Sequence, residues 1–488
     1  MGNQLVGIAP SQIFPVEHYL TDHTDLQYDM NLGSTRFFKV ARARSQEGLI
    51  VVKVFAIHDP TLPLSMYRDR IEEIRNRLAS ANNCLPSQRV ILTDRAGFLM
   101  RGYIKYSLYD RISTRPFLTS LEKKWIAFQL LYALHQCHRL GICHGDVKLE
   151  NILVTSWHWV LLSDFASFKP THLPEDNPAD FSYFFDTSRR RTCYIAPERF
   201  IKSLASDMSQ LLPSEENIKK GDLTPAMDIF SAGCCLIELF TDGQPPFDFS
   251  QLLAYRSGEF SVDKHLEKIE DTGVRALVRS MVQREAGKRL SAEDYLSQER
   301  GKVFPDYFYT FLQSYMLIFS SSTPILSPDE KIERLKKDIK NIVNMMRSES
   351  VNQNKKEEKQ CSINDDPLVI ITSLVTSCIR GLHLSNSKIQ CLEILLELAS
   401  HTSADTVLDR ILPYILHLIQ DPTHRVRVSA LHTLTKCLSL VKKVPSTDTN
   451  VFPEYILPTL ASVASDEAVI VRTAFAENIA ELATTALR

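Results

Sequence analysis

Asp146, Lys148 and Asn151 fall within the stretch His144-Gly145-Asp146-Val147-Lys148-Leu149-Glu150-Asn151, and a second acid follows in Asp164-Phe165-Ala166. Carboxylates and amide oxygens are the ligands a hard divalent cation takes, and a carboxylate in reach of a hydroxyl removes its proton. A lysine ammonium neutralises phosphate as a compact point charge. Two acids, an amide and a lysine so grouped suit proton removal beside a metal-bound phosphate. Upstream, Lys53 adds a second cation, and Glu72 and Glu73 add acids.

Ordered elements must hold these groups. From Thr35 to Phe55 the pattern is strand-like, with Phe37, Phe38 and Val40 in one run, a polar turn at Gly48, and Leu49 to Phe55 in a second run carrying Lys53. A helix is expected from Leu64 to Leu78 on the spacing of Ile71, Ile74 and Leu78, and another from Trp125 through Cys137. Val160-Leu161-Leu162 reads as a strand leading into Asp164. A β-rich first lobe therefore gives way to a helical second one, with helices from Met227 to Met316 interrupted at Pro245-Pro246. Residues 320–328 are Ser/Thr/Pro-rich, 329–346 read as one helix, and 348–366 read as a flexible polar linker. Beyond Pro367 the chain repeats itself: Ile411-Leu412-Pro413 returns as Ile456-Leu457-Pro458, Asp421 as Asp466, and Val426-Arg427 as Val471-Arg472, each 45 residues on. A period of about 40–47 residues built from helix pairs resembles HEAT repeats.

Composition narrows the classes. Among 488 residues, 56 basic side chains against 58 acidic ones give a formal charge of −2, which removes the broad positive field of non-specific nucleic-acid binders. No stretch reaches the ~18 apolar residues of a spanning helix, and no secretory leader opens the chain. The ten cysteines form no Cys-x-x-Cys pair and read as reduced, mostly buried thiols. Met1-Gly2 opens like an N-myristoylation signal, although Val6 stands where that pattern has Ser or Thr. Sixteen glycines are about half the usual ~7% share.

The catalytic stretch, Asp164-Phe165-Ala166 and Ala196-Pro197-Glu198 together resemble the catalytic loop, metal-binding loop and activation-segment end of protein kinases. The spacing of Asp146 and Asn151 meets the pattern H-R-D-x-x-x-x-N. The resemblance makes Asp146 the base facing a hydroxyl, Lys148 a cation for the transferring phosphoryl, Asn151 and Asp164 the Mg²⁺ ligands, and Lys53 the contact to the α and β phosphates of ATP or GTP, with Glu72 or Glu73 as its acidic partner. It makes Asp228 a brace for the catalytic loop and pairs Arg289 with Glu198. The nucleotide lid would be Leu32, Gly33, Ser34, Thr35, Arg36, Phe37, Phe38, Lys39 and Val40. Here G-x-G-x-x-G-x-V keeps only its first glycine, because Thr35 and Phe38 replace the other two. A phenylalanine where backbone should approach phosphate crowds or reshapes the lid, so weak or unusual nucleotide binding is expected. Gly145 replaces the arginine that grips an activation-loop phosphate, and Ala166 replaces the last glycine of D-F-G. His135, His138 and His144 are expected to be packed rather than metal-bound, and Arg189-Arg190-Arg191 to be a solvated basic run.

Through Trp157–Phe200 above all, and over nearly its whole length, the chain resembles the vacuolar protein sorting kinase family, the kinase-like regulatory subunits (subunit four) of class III phosphatidylinositol 3-kinase complexes. That resemblance implies a myristoylated segment at 1–25 with Gly2 lipidated, a protein-kinase-like α+β bilobal domain at 26–316, a helical and flexible linker at 317–366, and an all-α HEAT-repeat solenoid at 367–488 whose array continues past Leu487-Arg488. It implies a scaffold for a lipid kinase catalytic subunit and a Beclin-type subunit in endosomal sorting and autophagy. Such a scaffold would be cytoplasmic and peripheral on late endosome and autophagosome membranes, and would hold no nucleic acid. Three readings of the first domain stay open: a weak serine/threonine kinase, a nucleotide-binding pseudokinase, and an inert module of a HEAT scaffold.

Overall fold

The computed structural model describes residues 15–21, 23–34, 38–56, 64–93, 96–166, 169–186, 190–201, 222–321, 324–354, 366–442, 444 and 450–487. Gly2, Thr35, Arg36, Phe37 and Arg189 lie outside them. The chain divides into two compact units. The first is 1–113, 127–155 and 160–303; the second is 114–126, 156–159 and 304–488.

The first unit begins with an antiparallel five-stranded sheet. Its strands are β1 (Gln27–Ser34), β2 (Lys39–Ser45), β3 (Gly48–Ala56), β4 (Arg89–Leu92) and β5 (Ala96–Gly102), in the order β1-β2-β3-β5-β4. The expected hairpin is the β2–β3 pair, closed at the register Ser45↔Gly48. Side chains alternate across a strand, so the register decides which ones share a face. Ala41, Ala43, Val52, Val54, Phe98 and Met100 bury one face against Val16 and Leu20 of a short helix and Leu26. Val40, Lys53 and Leu99 are paired in register across β2, β3 and β5, in a row on the other face.

Helix α1 (Leu64–Arg77) follows β3, and α2 (Ser120–Arg139) leads to the catalytic stretch. Strands β6 (Ile152–Val154) and β7 (Val160–Ser163) form an antiparallel ladder after it. Helix α3 (Pro225–Phe240) is buried nearly all round, as an apolar run without alternation requires. Among the described residues nine cysteines are unpaired thiols, and eight of them are buried.

In the second unit, α4 spans Pro328–Asn354. The helix expected at 329–346 thus continues eight residues past its expected end, seven of them in the stretch taken for a flexible linker. Nothing between Arg347 and Asn354 is Gly or Pro, so polarity there gives a helix instead of breaking it. Residues 355–365 lie outside the described ones. Next come α5 (Ser385–Ala399), α6 (Leu412–Ile419), α7 (His424–Leu440), α8 (Leu457–Val463) and α9 (Val469–Ala486). The 45-residue sequence repeat reappears as repeated contacts. Asp421 accepts from Thr423 N at 2.9 Å and Asp466 from Ala468 N at 2.9 Å. Arg427 donates to the carbonyl of Asp421, and Arg472 to that of Asp466. Consecutive repeats are tied by Arg427, bidentate to Asp466 at 2.8 Å, as Lys388 ties to Asp421 at 2.6 Å.

The same unit holds a buried ionic cluster. Arg410 is bidentate to Glu122 at 2.8 Å and also donates to the carbonyl of Phe117, while His158 Nδ1 lies 3.4 Å from Glu122. Burial opposes ionisation of Glu122, but His158 and Arg410 outweigh it and hold the carboxyl below its ordinary range. Among the described residues no helix is long and apolar enough to cross a membrane.

Candidate active site

The sequence-predicted residues converge on a cavity of about 420 Å³ in the first unit, lined by Leu32, Gly33, Ser34, Phe38, Val40 and Lys53 on the sheet side and by Asp146, Lys148, Asn151 and Asp164 opposite. A second cavity of about 470 Å³, between α5, α7 and α9, contains none of them. Strand alternation explains the sheet side: Val40 faces the cavity while Lys39, one position earlier, does not line it. Gly33 sits at φ +113°, a conformation only glycine adopts with ease, and its N–H bonds Asn31 Oδ1 at 2.8 Å. Phe38 lies in the cavity wall, tilted against Phe55 at 6.1 Å between centroids, with Lys53 Nζ 5.9 Å from its ring.

The catalytic loop is braced from α3. Asp228 accepts from His144 N at 2.7 Å and Gly145 N at 2.8 Å, and pairs with His138 at 3.0 Å. His144 packs at a tilt against Phe165 at 4.6 Å and bonds the carbonyl of Ser163 at 2.8 Å, His135 faces Glu293 at 3.9 Å, and His138 groups with Cys143 and Asp228. Gly145 has φ +79°, and a Cβ there would stand 2.6 Å from Leu223. An arginine there would be strained by the backbone conformation and would need Leu223 to move. Arg199 instead joins the catalytic loop to the activation segment, donating to the carbonyls of Gly145 at 2.7 Å, Pro170 at 3.0 Å and Thr171 at 2.7 Å. Arg289 meets Glu198 bidentately at 2.7 and 2.9 Å.

Asp164, at φ +64°, directs its carboxylate to Lys53 Nζ at 2.8 Å, with Arg101 Nε 3.6 Å away. Burial alone would raise this carboxyl, but Lys53 and then Arg101 outweigh it and hold it far below the usual range. Neither Glu72 nor Glu73 is the partner of Lys53, contrary to expectation. Glu72 pairs with Arg68 at 3.2 Å, and Glu73 with Arg70 and Arg77 at 2.7 Å each, all along the surface of α1. Spacings of three and four residues bring these side chains together on a helix, and with Asp164 as the nearer anion, Lys53 turns inward.

Asp146 Oδ2 is surrounded by cations and amide. Lys169 Nζ lies at 2.6 Å, Lys148 Nζ at 3.1 Å and Asn151 Nδ2 at 3.1 Å. Burial raises the Asp146 carboxyl, but Lys148 and Lys169 reverse the shift. Lys169 itself is pulled down to about 8, by burial first and by repulsion from Lys148, with Asp146 opposing. Asn151 also gives an N–H to the carbonyl of Asp146 at 2.8 Å, so its side-chain oxygen is the atom it offers to a cation. That oxygen and the Asp164 carboxylate are the hard donors Mg²⁺ takes, and Lys53 stands ready for phosphate oxygens. The donor set therefore fits a Mg²⁺-nucleotide.

Sequence reasoning missed Arg101, Lys169 and Arg190. Arg101 follows Leu99 by two positions on β5, so strand alternation puts it on the cavity face, a signal present in Phe98-Leu99-Met100-Arg101. Arg190 is not solvated. Its guanidinium bonds Glu150 at 3.1 Å and Glu238, and lies 4.0 Å over the ring of Tyr109. Two acids far apart in sequence make that site, and no local pattern announces it.

Two family descriptions match: the protein kinase domain over residues 27–299, and the PIK3R4-like middle domain over 371–488. The chain is 37% identical to the serine/threonine-protein kinase VPS15 of Arabidopsis thaliana, an alignment that covers 100% of this chain and 38% of that protein. It is 35% identical to VPS15 of Saccharomyces cerevisiae over 94% of this chain and 35% of that one, and 38% identical to the putative VPS15 of Komagataella pastoris over 100% and 38%. The chain thus spans between a third and two fifths of the length of these curated relatives. It belongs to the protein kinase family, and it is homologous along its length to the VPS15 serine/threonine-protein kinases.

Proposed function

We propose that the first unit transfers the γ-phosphoryl group of ATP or GTP to serine or threonine hydroxyls of a protein. The observation that carries this reading is the convergence of Lys53, Asp146, Lys148, Asn151 and Asp164 on one cavity. Asp146 orients the acceptor hydroxyl and takes its proton. Lys148, beside it, offsets negative charge on the transferring group. Asp164 and Asn151 would hold Mg²⁺, which would supply charge neutralisation for the phosphates. Lys53, paired with Asp164 at 2.8 Å, would contact the α and β phosphates from that position. Phe38 narrows the lid and makes binding weak.

Melting temperature tests the binding half. Saturating ATP or GTP with Mg²⁺ raises it, and a ligand at 100 times its Kd adds about 2.7 kcal/mol of stability. The rise shrinks in Lys53→Ala. Absence of any shift in the wild-type chain sinks the reading.

We further propose that the chain serves within a class III phosphatidylinositol 3-kinase complex. There it would scaffold the lipid kinase catalytic subunit and a Beclin-type subunit through the helical repeats, and hold late endosome or autophagosome membranes through myristate on Gly2. The homology to VPS15 and the PIK3R4-like middle domain support this. A single acyl chain anchors only marginally, so the complex would supply a second attachment. Co-purification of the lipid kinase with the tagged chain, and loss of vesicle binding in Gly2→Ala, test it.

A further inference from the structure

One oxygen of the carboxylate that has to receive a hydroxyl proton is already crowded with donors. Asp146 Oδ2 has two lone pairs and three donors around it: Lys169, Lys148 and Asn151. Two of these belong to the catalytic loop and are needed there. Lys169 does not; it lies five residues past Asp164, in the activation segment, and is the closest of the three at 2.6 Å. Its side chain is 8% exposed, and its ammonium lies 5.0 Å over the ring of Phe185. The carbonyl of that same Phe185 accepts from Lys148 at 3.2 Å.

The segment is fastened at a second point. Arg190 enters a hole formed by Glu150, Glu238 and the face of Tyr109. The Glu238 side chain has no exposed surface, and Arg190 is the cation against it. Burial pushes the Glu238 carboxyl up to about 7 and Arg190 opposes that rise, so withdrawing the guanidinium obliges the buried acid to take up a proton. Both fastenings join the activation segment to groups at or beneath the catalytic loop.

We propose that the activation segment is a lock acting within the chain on the catalytic aspartate: Lys169 takes the place of the acceptor hydroxyl at Asp146, and Arg190 in the Glu150–Glu238 hole keeps the segment in that position. Two physical effects make it inhibitory. At Oδ2 an incoming hydroxyl has to displace one of three donors, which leaves it Oδ1 to approach, and a second ammonium beside Asp146 makes the whole carboxylate a poorer base. The lock rests on the kinase reading of this unit and concerns its regulation.

The test uses the full 488-residue chain, Mg²⁺-ATP with labelled phosphate, and the variants Lys169→Met, Arg190→Gln and Lys169→Met/Asp146→Asn, each kept only if it melts cooperatively. Lys169→Met is expected to raise the initial rate of incorporation about tenfold, the equivalent of one charge-assisted contact. Arg190→Gln is expected to raise it less, and the double variant to abolish it. If the wild type incorporates phosphate in an Asp146-dependent way and Lys169→Met is no faster, the lock is overturned and the kinase reading stands. A slower Lys169→Met also overturns it, by making Lys169 a partner in transfer. If no chain incorporates phosphate, Lys169→Met included, both fall. Should Lys169→Met fail to fold, Arg190→Gln decides alone: an unchanged rate overturns the lock.

Discussion

Lys53 and Asp164 face each other across 2.8 Å, and that distance organises the site. Each group offsets the charge of the other. Lys53→Ala therefore removes a phosphate ligand and is expected to weaken nucleotide binding about tenfold or more, as loss of a charged hydrogen bond of ~1.5–3 kcal/mol implies; isothermal titration with Mg²⁺-ATP measures it. Phe38→Gly works in the opposite sense and tightens binding. The pH profile follows from Lys169, which faces Asp146, Lys148 and, farther off, Lys53. Burial lowers it to about 8, so it is an ammonium below that pH and a neutral amine above it. As pH rises from 7 to 9 the cation on Asp146 fades. The initial rate is expected to climb through about 8 in the wild type and to stay flat in Lys169→Met. At this scale the sequence was informative about which residues form the site, since residue type and spacing fix the reacting groups. It was uninformative about partners: Glu72 and Glu73 are carboxylates like Asp164, and only the placement of α1 shows that arginines of the same helix take them.

Elements put those groups in range, and here alternation and period were good guides. The hairpin, the helix at 64–77 and the repeated helix pairs are all visible as period-2, period-3.6 and 45-residue patterns. Long-range ion pairs were not. Glu122, near the start of α2, is buried against Arg410, 288 residues away in sequence, and neither residue has a local pattern that names the other. Breaking a buried pair from one side is expected to cost about 3–5 kcal/mol, because Glu122 would keep its charge in a dry site. Arg410→Met should thus lower the urea midpoint sharply, and adding Glu122→Gln should restore much of the loss. Arg427, which joins one repeat to the next through Asp466, is partly exposed. Its replacement by Ala is expected to cost about 1.5–3 kcal/mol by the same measurement.

Over the whole molecule, two compact units divide the work. One gathers Lys53, Asp146, Lys148, Asn151 and Asp164 around a cavity, and the other stacks helix pairs tied by Lys388–Asp421 and Arg427–Asp466. The kinase domain boundary read from sequence at 26–316 crosses this division, since residues 114–126 and 156–159 pack with the repeats. Composition and motif cannot reveal that, because a helix such as α2 keeps one periodicity while its two ends serve different cores. Scaffold and kinase readings both need the first unit folded, and they part at a single event. The decisive measurement is transfer of labelled phosphate from Mg²⁺-ATP by the purified chain beside Asp146→Asn. Incorporation by the wild type that falls at least about 100-fold in the variant is the predicted result, the loss expected when a general base is removed. Equal incorporation by both would contradict the assignment of Asp146, and with it the account of this site.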